Sequence, residues 1–282
     1  MINIFNLSKD FMSYLDYMEK TNADVRSCWL DICYSKHPDV YDHVEELYKH
    51  INVSTELHNA VFKYFTKEEL SRKIASISER LYTSLETLIK TFKENGMDTL
   101  DELTFDVYVL VGNASTNAIV TPFNQGSLFL FLELLPEGEY FDMLLAHELF
   151  HVIQRQSISG QYDQVLLVDL LFSEGIACAA SKMVKPGYGP SAYIECRQVN
   201  ETPERWQFIK ENRNMILNDL EKSEQGIFSN YLSYGEFPIH RMGYDIGFYT
   251  VQEMLKNRSL KDMLNMSVND IRNEFKYAFD LI

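Results

Sequence analysis

The segment Ala146-His147-Glu148-Leu149-Phe150-His151 sets two imidazoles and a carboxylate inside FDMLLAHELFHVI, a run from Phe141 to Ile153 that is otherwise almost wholly apolar. Residues four apart on a helix share a face, with Cβ atoms roughly 5–6 Å apart, so His147 and His151 can both reach one metal ion. Glu148 lies beside that face. It is poorly placed to share the coordination, yet well placed to take a proton from a water on the metal. Two buried imidazoles and a buried acid would otherwise each need a separate partner. The run is too apolar for a surface helix and too short to span a membrane, so it is read as a buried core helix.

A second apolar segment, QVLLVDLLFSEGIACAASKM, carries Glu174 among Leu167, Leu170, Leu171, Ala177 and Cys178. An unpaired carboxylate there would cost on the order of several kcal/mol, and a metal held by His147 and His151 is the obvious cation to meet it. Gly175 would let this helix approach a neighbour closely. Two histidines and one glutamate, with a fourth position left to water, match the plan of a catalytic zinc site. Two rivals for the third ligand sit on the same helix. Asp169 is turned about 140° from Glu174, so both cannot face one ion. Cys178 shares the Glu174 face and would bind zinc as a thiolate. Glu174 is preferred because a stranded charge needs a partner and a neutral buried thiol does not.

With 282 residues, 46% hydrophobic and 13% aromatic, the chain can bury a sizeable core as one large domain or two closely packed ones. Its net charge of −15 is spread along the sequence, which disfavours binding to nucleic acid or to an anionic membrane. Cys28, Cys33, Cys178 and Cys196 form no CxxC pair, and the start lacks a basic stretch followed by an apolar run. The expectation is a cytoplasmic protein with unpaired thiols and no membrane span.

The elements that must position these residues begin with a helical region. Apolar spacing predicts helices over Asp10 to Glu19, Pro38 to His50 and Lys67 to Asn95, the last following Leu70, Ile74, Ile77, Leu81, Leu85, Leu88 and Ile89 and stopped by Gly96. His37, His43, His50 and His58 are read as lying on solvated helix faces rather than in a second metal site. From Leu103 the pattern turns to strands: TFDVYVLVG, then Ala118 to Thr121, then Gly126 to Glu133. The third is either an edge strand able to pair with an extended peptide or an interior strand paired on both sides. After the loop KPGYGP, helices are expected at roughly 202–221, 242–257 and 267–280, the last capped by Ser267 with Asp270. Between them YLSYGEFPIHRMGYDIGF gathers Tyr231, Tyr234, His240, Arg241 and Tyr244. Amide hydrolysis develops an oxyanion, which a phenol, imidazolium or guanidinium would stabilise. Tyr244 is the first choice and His240 the second.

HELFH followed by Glu174 in SEGIACAA resembles the gluzincin branch of the zinc metallopeptidases, in which a downstream E-G-x-A helix supplies the third ligand. The metzincin plan is absent, because Gln154 and Ser157 stand where it requires Gly and His. With strands ahead of the metal helix and GYDIGFYTVQEML at Gly243 to Leu255, the nearest likeness is to uncharacterised bacterial families of predicted zinc-dependent proteases, over about residues 103–256. The resemblance implies one zinc ion per chain, peptide-bond hydrolysis, His147, His151 and Glu174 as ligands, and Glu148 as general base. Cys178 stands where some gluzincins carry an Asp that orients the first histidine, so that partner is unassigned. The G-x-M-E-N signature of the large aminopeptidases is missing.

The expected fold is α+β and mostly helical: a helical N-terminal region over 1–98, a zincin-like small mixed sheet with the metal helices over 99–185, and a helical C-terminal lobe over 186–282 that completes a cleft. The expected activity is a zinc peptidase acting on a peptide or protein substrate, with no bearing on oligomeric state. A reading from another class is a catalytically silent zincin-like protein that captures a peptide or protein partner for regulation. Glu148 weighs against it, since a pure binding site does not need that carboxylate. A hydrolase of a non-peptide amide or ester is a third.

Overall fold

A computed structural model describes residues 2–21, 24–47, 62–97, 103–158, 163–199, 203–233 and 235–282. The fold is α+β and mostly helical, with one small mixed sheet among the described residues. The chain divides into two compact units, Met1–Thr87 with Asp101–Glu137, and Leu88–Leu100 with Gly138–Ile282.

The first unit holds the sheet. Strands β1 (Ile2–Asn6), β2 (Phe105–Leu110), β3 (Ala118–Thr121) and β4 (Ser127–Phe131) lie in the order β1-β2-β4-β3. β1 runs parallel to β2 and β2 parallel to β4, while β3 returns antiparallel beside β4. The β-branched and aromatic run of β2 is buried along nearly its whole length, as suits a strand covered on both faces. All five residues of β4 are buried and both its sides are paired, so it offers no edge to a peptide. β1 lies outside the sequence expectation, which places helices throughout the N-terminal region. INIFN alternates half-buried with exposed positions, the pattern of an edge strand, and five residues are too few to stand out before a helix.

Helices α1 (Ser8–Lys20), α2 (Val25–Ile32) and α3 (Pro38–Leu47) follow β1. They join through aromatic rings, with Trp29 at 5.7 Å from Tyr14 and 5.0 Å from Tyr41 between centroids. His43 is not on a solvated face: its ring stacks on Phe123 at 4.7 Å and its Nε2 lies 3.0 Å from Thr121 Oγ1. His37 pairs with Asp10 at 3.5 Å, and His50 and His58 lie outside the described residues. The long helix α4 (Lys67–Glu94) buries Leu70, Ile74, Ile77, Leu81, Leu85 and Leu88 as its period predicts. It stops at Gly96, whose φ of +83° is a left-handed conformation that glycine adopts without strain.

The second unit is helical. Its centre is a pair of apolar helices, α5 (Glu139–Ile158) and α6 (Leu167–Val184), each buried over most of its surface. Around them stand α7 (Pro190–Glu195), α8 (Pro203–Glu211), α9 (Arg213–Asp219), α10 (Gln225–Leu232), α11 (Met242–Met254), α12 (Leu260–Leu264) and α13 (Val268–Leu281). The single helix expected over about 202–221 is two, broken at Asn212, whose side chain bonds back to the Phe208 carbonyl. Ser267 caps α13 as expected, accepting from the Asp270 N–H at 3.2 Å. Among the described residues all four cysteines are buried and free, and no helix is long and apolar enough to cross a membrane.

Candidate metal centre

On α5, His147 and His151 stand one turn apart with their Nε2 atoms 3.0 Å from each other. On α6, Glu174 brings Oε2 to 3.2 Å from His147 Nε2 and 3.5 Å from His151 Nε2. Among the described residues these three form the group that could hold a metal ion, their ligand atoms all lying within 4.8 Å of one another. In a tetrahedral zinc site with bonds of about 2.0–2.1 Å, neighbouring donors stand roughly 3.3–3.4 Å apart. The observed spacings bracket that value, so the donor set fits zinc and leaves a fourth position open. His147 is buried, whereas the side chains of His151 and Glu174 keep 18% and 19% exposure, so the group is open to solvent on one side.

Glycine sets the helix spacing that makes this possible. Gly175, next to Glu174, lies against Gly247 of α11, and a Cβ on either would overlap backbone of the other helix. Gly243, one turn earlier on α11, faces the Leu171 side chain at 2.8 Å from where its Cβ would stand. Small residues four apart thus let α11 press onto α6 beside the ligands.

The free ring nitrogens are also engaged. Gln154 Oε1 lies 2.9 Å from His151 Nδ1, which keeps a proton on Nδ1 and turns Nε2 toward the group. Ser173 Oγ donates to the same oxygen at 3.0 Å. Cys178 Sγ lies 3.7 Å from His147 Nδ1, at the place where the sequence left the orienting partner open. Burial pushes the Cys178 thiol well above its usual range, so it stays neutral, and it sits on the side of the ring away from the converging atoms. Asp169, the other rival, is taken by Arg272 through bonds of 2.9 and 2.7 Å. Gln154 is the partner that spacing could have revealed, three residues beyond His151 on one helix.

Burial would lower His151, but the Glu174 charge and hydrogen bond, with Glu148 and Gln154, carry it up to about 9. Burial would raise Glu174, yet the His151 charge and the bonds from both histidines hold it below the usual carboxylate range. Glu148 is buried, and that burial raises its carboxyl against the opposing pull of His147 and His151.

Tyr244 on α11 stacks on His147, with centroids 6.5 Å apart and planes inclined at 24°. Burial, then the Glu174 charge, raises its phenol, so it remains a proton donor. The Arg241 guanidinium lies over the phenol ring, 4.2 Å from its centroid. His240 is exposed on the preceding turn, its carbonyl accepting from Arg205 at 3.2 Å. Tyr231 is buried and donates to Asp219 at 2.8 Å, and Tyr234 lies outside the described residues.

No curated protein and no solved structure matches the chain. A family model does, over residues 78–273, more than half of the chain and a span that includes the whole group described above. By that match the chain belongs to the family described as predicted Zn-dependent protease (DUF2268).

Proposed function

We propose that this chain is a zinc-dependent peptidase of gluzincin type that binds one zinc ion through His147, His151 and Glu174 and hydrolyses peptide bonds with Glu148 as general base. The observation that carries this reading is the convergence of two imidazole nitrogens and a carboxylate oxygen at 3.0, 3.2 and 3.5 Å, with the buried Glu148 carboxyl beside them. A zinc ion held there would supply a Lewis acid for the attacking water and the scissile carbonyl. Glu148 accepts a proton from the water as its oxygen bonds to the carbonyl carbon, then delivers that proton to the amide nitrogen as the C–N bond breaks. Burial supports the first half of this work, because a carboxylate whose affinity for a proton is raised by desolvation is the stronger base toward the water. Tyr244 donates toward the carbonyl oxygen as it gains charge. His240, the second choice for that role, is exposed and is the weaker candidate. The substrate is a peptide or protein met in the cytoplasm, and the acidity of the chain, −15 net, disfavours nucleic acid and anionic membranes as partners.

The test combines metal analysis with an unbiased peptide library. The wild type is expected to hold one zinc per chain and to cleave library members. Glu148→Gln is expected to keep its zinc and to lose about 10²–10⁴-fold in turnover, because an amide takes no proton from water. Unchanged turnover in that variant would remove Glu148 as the base. Loss of its zinc would make Glu148 a ligand instead.

A further inference from the structure

Arg241 has an unusual backbone conformation at the site. It opens α11 with φ 57° and ψ 26°, the left-handed region that a non-glycine side chain adopts only under strain. The backbone is held there by its N–H bond to the Ser233 carbonyl at 3.2 Å and by the Tyr244 N–H, which bonds to the Arg241 carbonyl at 3.1 Å. The result is that the guanidinium turns back over the Tyr244 ring, Cζ 4.2 Å from the centroid, instead of outward. It also pairs with Glu195, at the end of α7, with Nη1 3.4 Å from Oε2. Tyr244 thus has both the His147 ring and the Arg241 guanidinium as neighbours. A planar guanidinium suits this place, because it stacks on an aromatic face while its edge meets a carboxylate, which an ammonium does not do.

We propose that Arg241 is a positioning residue for the hydrolysis: anchored by Glu195, it holds the Tyr244 ring beside His147 so that the phenol is already in place when the substrate oxygen becomes negative. The proposal rests on the zinc-peptidase reading and deepens it. A phenol on a free χ1 would have to be ordered during the reaction, whereas one fixed beforehand stabilises developing charge without reorganisation.

The test uses full-length zinc-loaded protein and the variants Arg241→Met, Arg241→Lys and Tyr244→Phe, each first checked for zinc content. Kinetics are measured on the best-cleaved library peptide and affinity on its phosphinic analogue, a tetrahedral anion. Arg241→Met is expected to lower kcat about tenfold to a hundredfold with KM within about threefold, and to weaken the phosphinic analogue by a similar factor. Arg241→Lys keeps the charge without the stack and is expected to recover only part of that loss. The Arg241→Met/Tyr244→Phe double variant should be no slower than Tyr244→Phe alone, since one residue acts through the other. In spectra of ring-labelled tyrosine, the signal that Tyr244→Phe removes should move or broaden in Arg241→Met. Independent, additive losses, or a Tyr244 signal untouched by Arg241→Met, overturn the proposal while leaving the peptidase reading intact. A zinc-loaded wild type that cleaves no library peptide overturns the peptidase reading, and the role of Arg241 in hydrolysis with it.

Discussion

Gly175 and Gly247 meet backbone to backbone, at the point where α6 and α11 cross beside Glu174. A methyl group on Gly175 would run into the Gly247 carbonyl, and one on Gly247 into the Leu171 carbonyl. A flexible side chain could step aside; helical backbone does not. Either alanine variant must therefore push the two helices apart, at an expected cost of about 1–3 kcal/mol in stability. Because Glu174 and Tyr244 ride on those helices, zinc affinity should fall as well. Denaturant unfolding of the metal-free variants measures the first effect and chelator competition the second. A Gly175→Ala protein as stable as wild type would show that the crossing is looser than described.

Gln154 holds a proton on His151 Nδ1 and so keeps Nε2 for the metal, and Ser173 in turn bonds the Gln154 oxygen. Replacing Gln154 by Leu keeps the volume and removes the acceptor. Metal affinity is expected to drop about 10- to 100-fold, the usual effect of losing such a partner, with little change in the unfolding transition of the metal-free protein. An unchanged zinc dissociation constant would remove Gln154 from the site.

The helices carrying the group were legible because their signals are local. HELFH is read from helical period alone, and Glu174 from the cost of stranding a charge among Leu170, Leu171 and Ala177. Gly175 announced a close helix contact without saying which helix. The partner, Gly247, lies far along the chain, and only the folded packing brings the two together. β1 was hidden for a similar reason: a five-residue edge strand is specified by pairing with β2, a hundred residues on, more than by its own pattern. Arg241 had chemistry of the right kind in view, but its left-handed backbone, which turns it over Tyr244, leaves no mark in composition or spacing.

Zinc binding should be linked to pH through His151. In the metal-free protein Glu174 and its neighbours carry this imidazole up to about 9, so at pH 7 it holds a proton on the nitrogen that must face the metal. Glu174, held below the ordinary carboxylate range, is already ionised there. Binding near neutrality is therefore expected to release about one proton per zinc, and affinity should fall close to tenfold for each pH unit below about 9. Calorimetry in buffers of different ionisation enthalpy counts the protons. A binding constant flat between pH 6 and about 8 would show that His151 is neutral before the metal arrives.

The choice of third ligand is the most exposed part of the proposed site, since Glu174 and Cys178 lie one turn apart on α6 and both approach His147. They approach different nitrogens. Glu174 Oε2 is 3.2 Å from Nε2, the atom that also faces His151, whereas Cys178 Sγ is 3.7 Å from Nδ1 on the far side of the ring. A thiolate at Cys178 would have to form where burial, the neighbouring Cys196 and Glu174 all oppose it. As a neutral thiol it can accept weakly from the Nδ1 proton, orienting the imidazole without touching the metal. Glu174→Ala is accordingly expected to lose tight zinc binding and activity together. Cys178→Ala should keep about one zinc per chain and weaken its affinity at most about tenfold, and Cys178→Ser, which restores an acceptor, should recover part of that loss. Elemental analysis and chelator competition on the three purified variants decide the matter. Zinc retained by Glu174→Ala and lost by Cys178→Ala would exclude the gluzincin arrangement and leave a thiolate centre in its place.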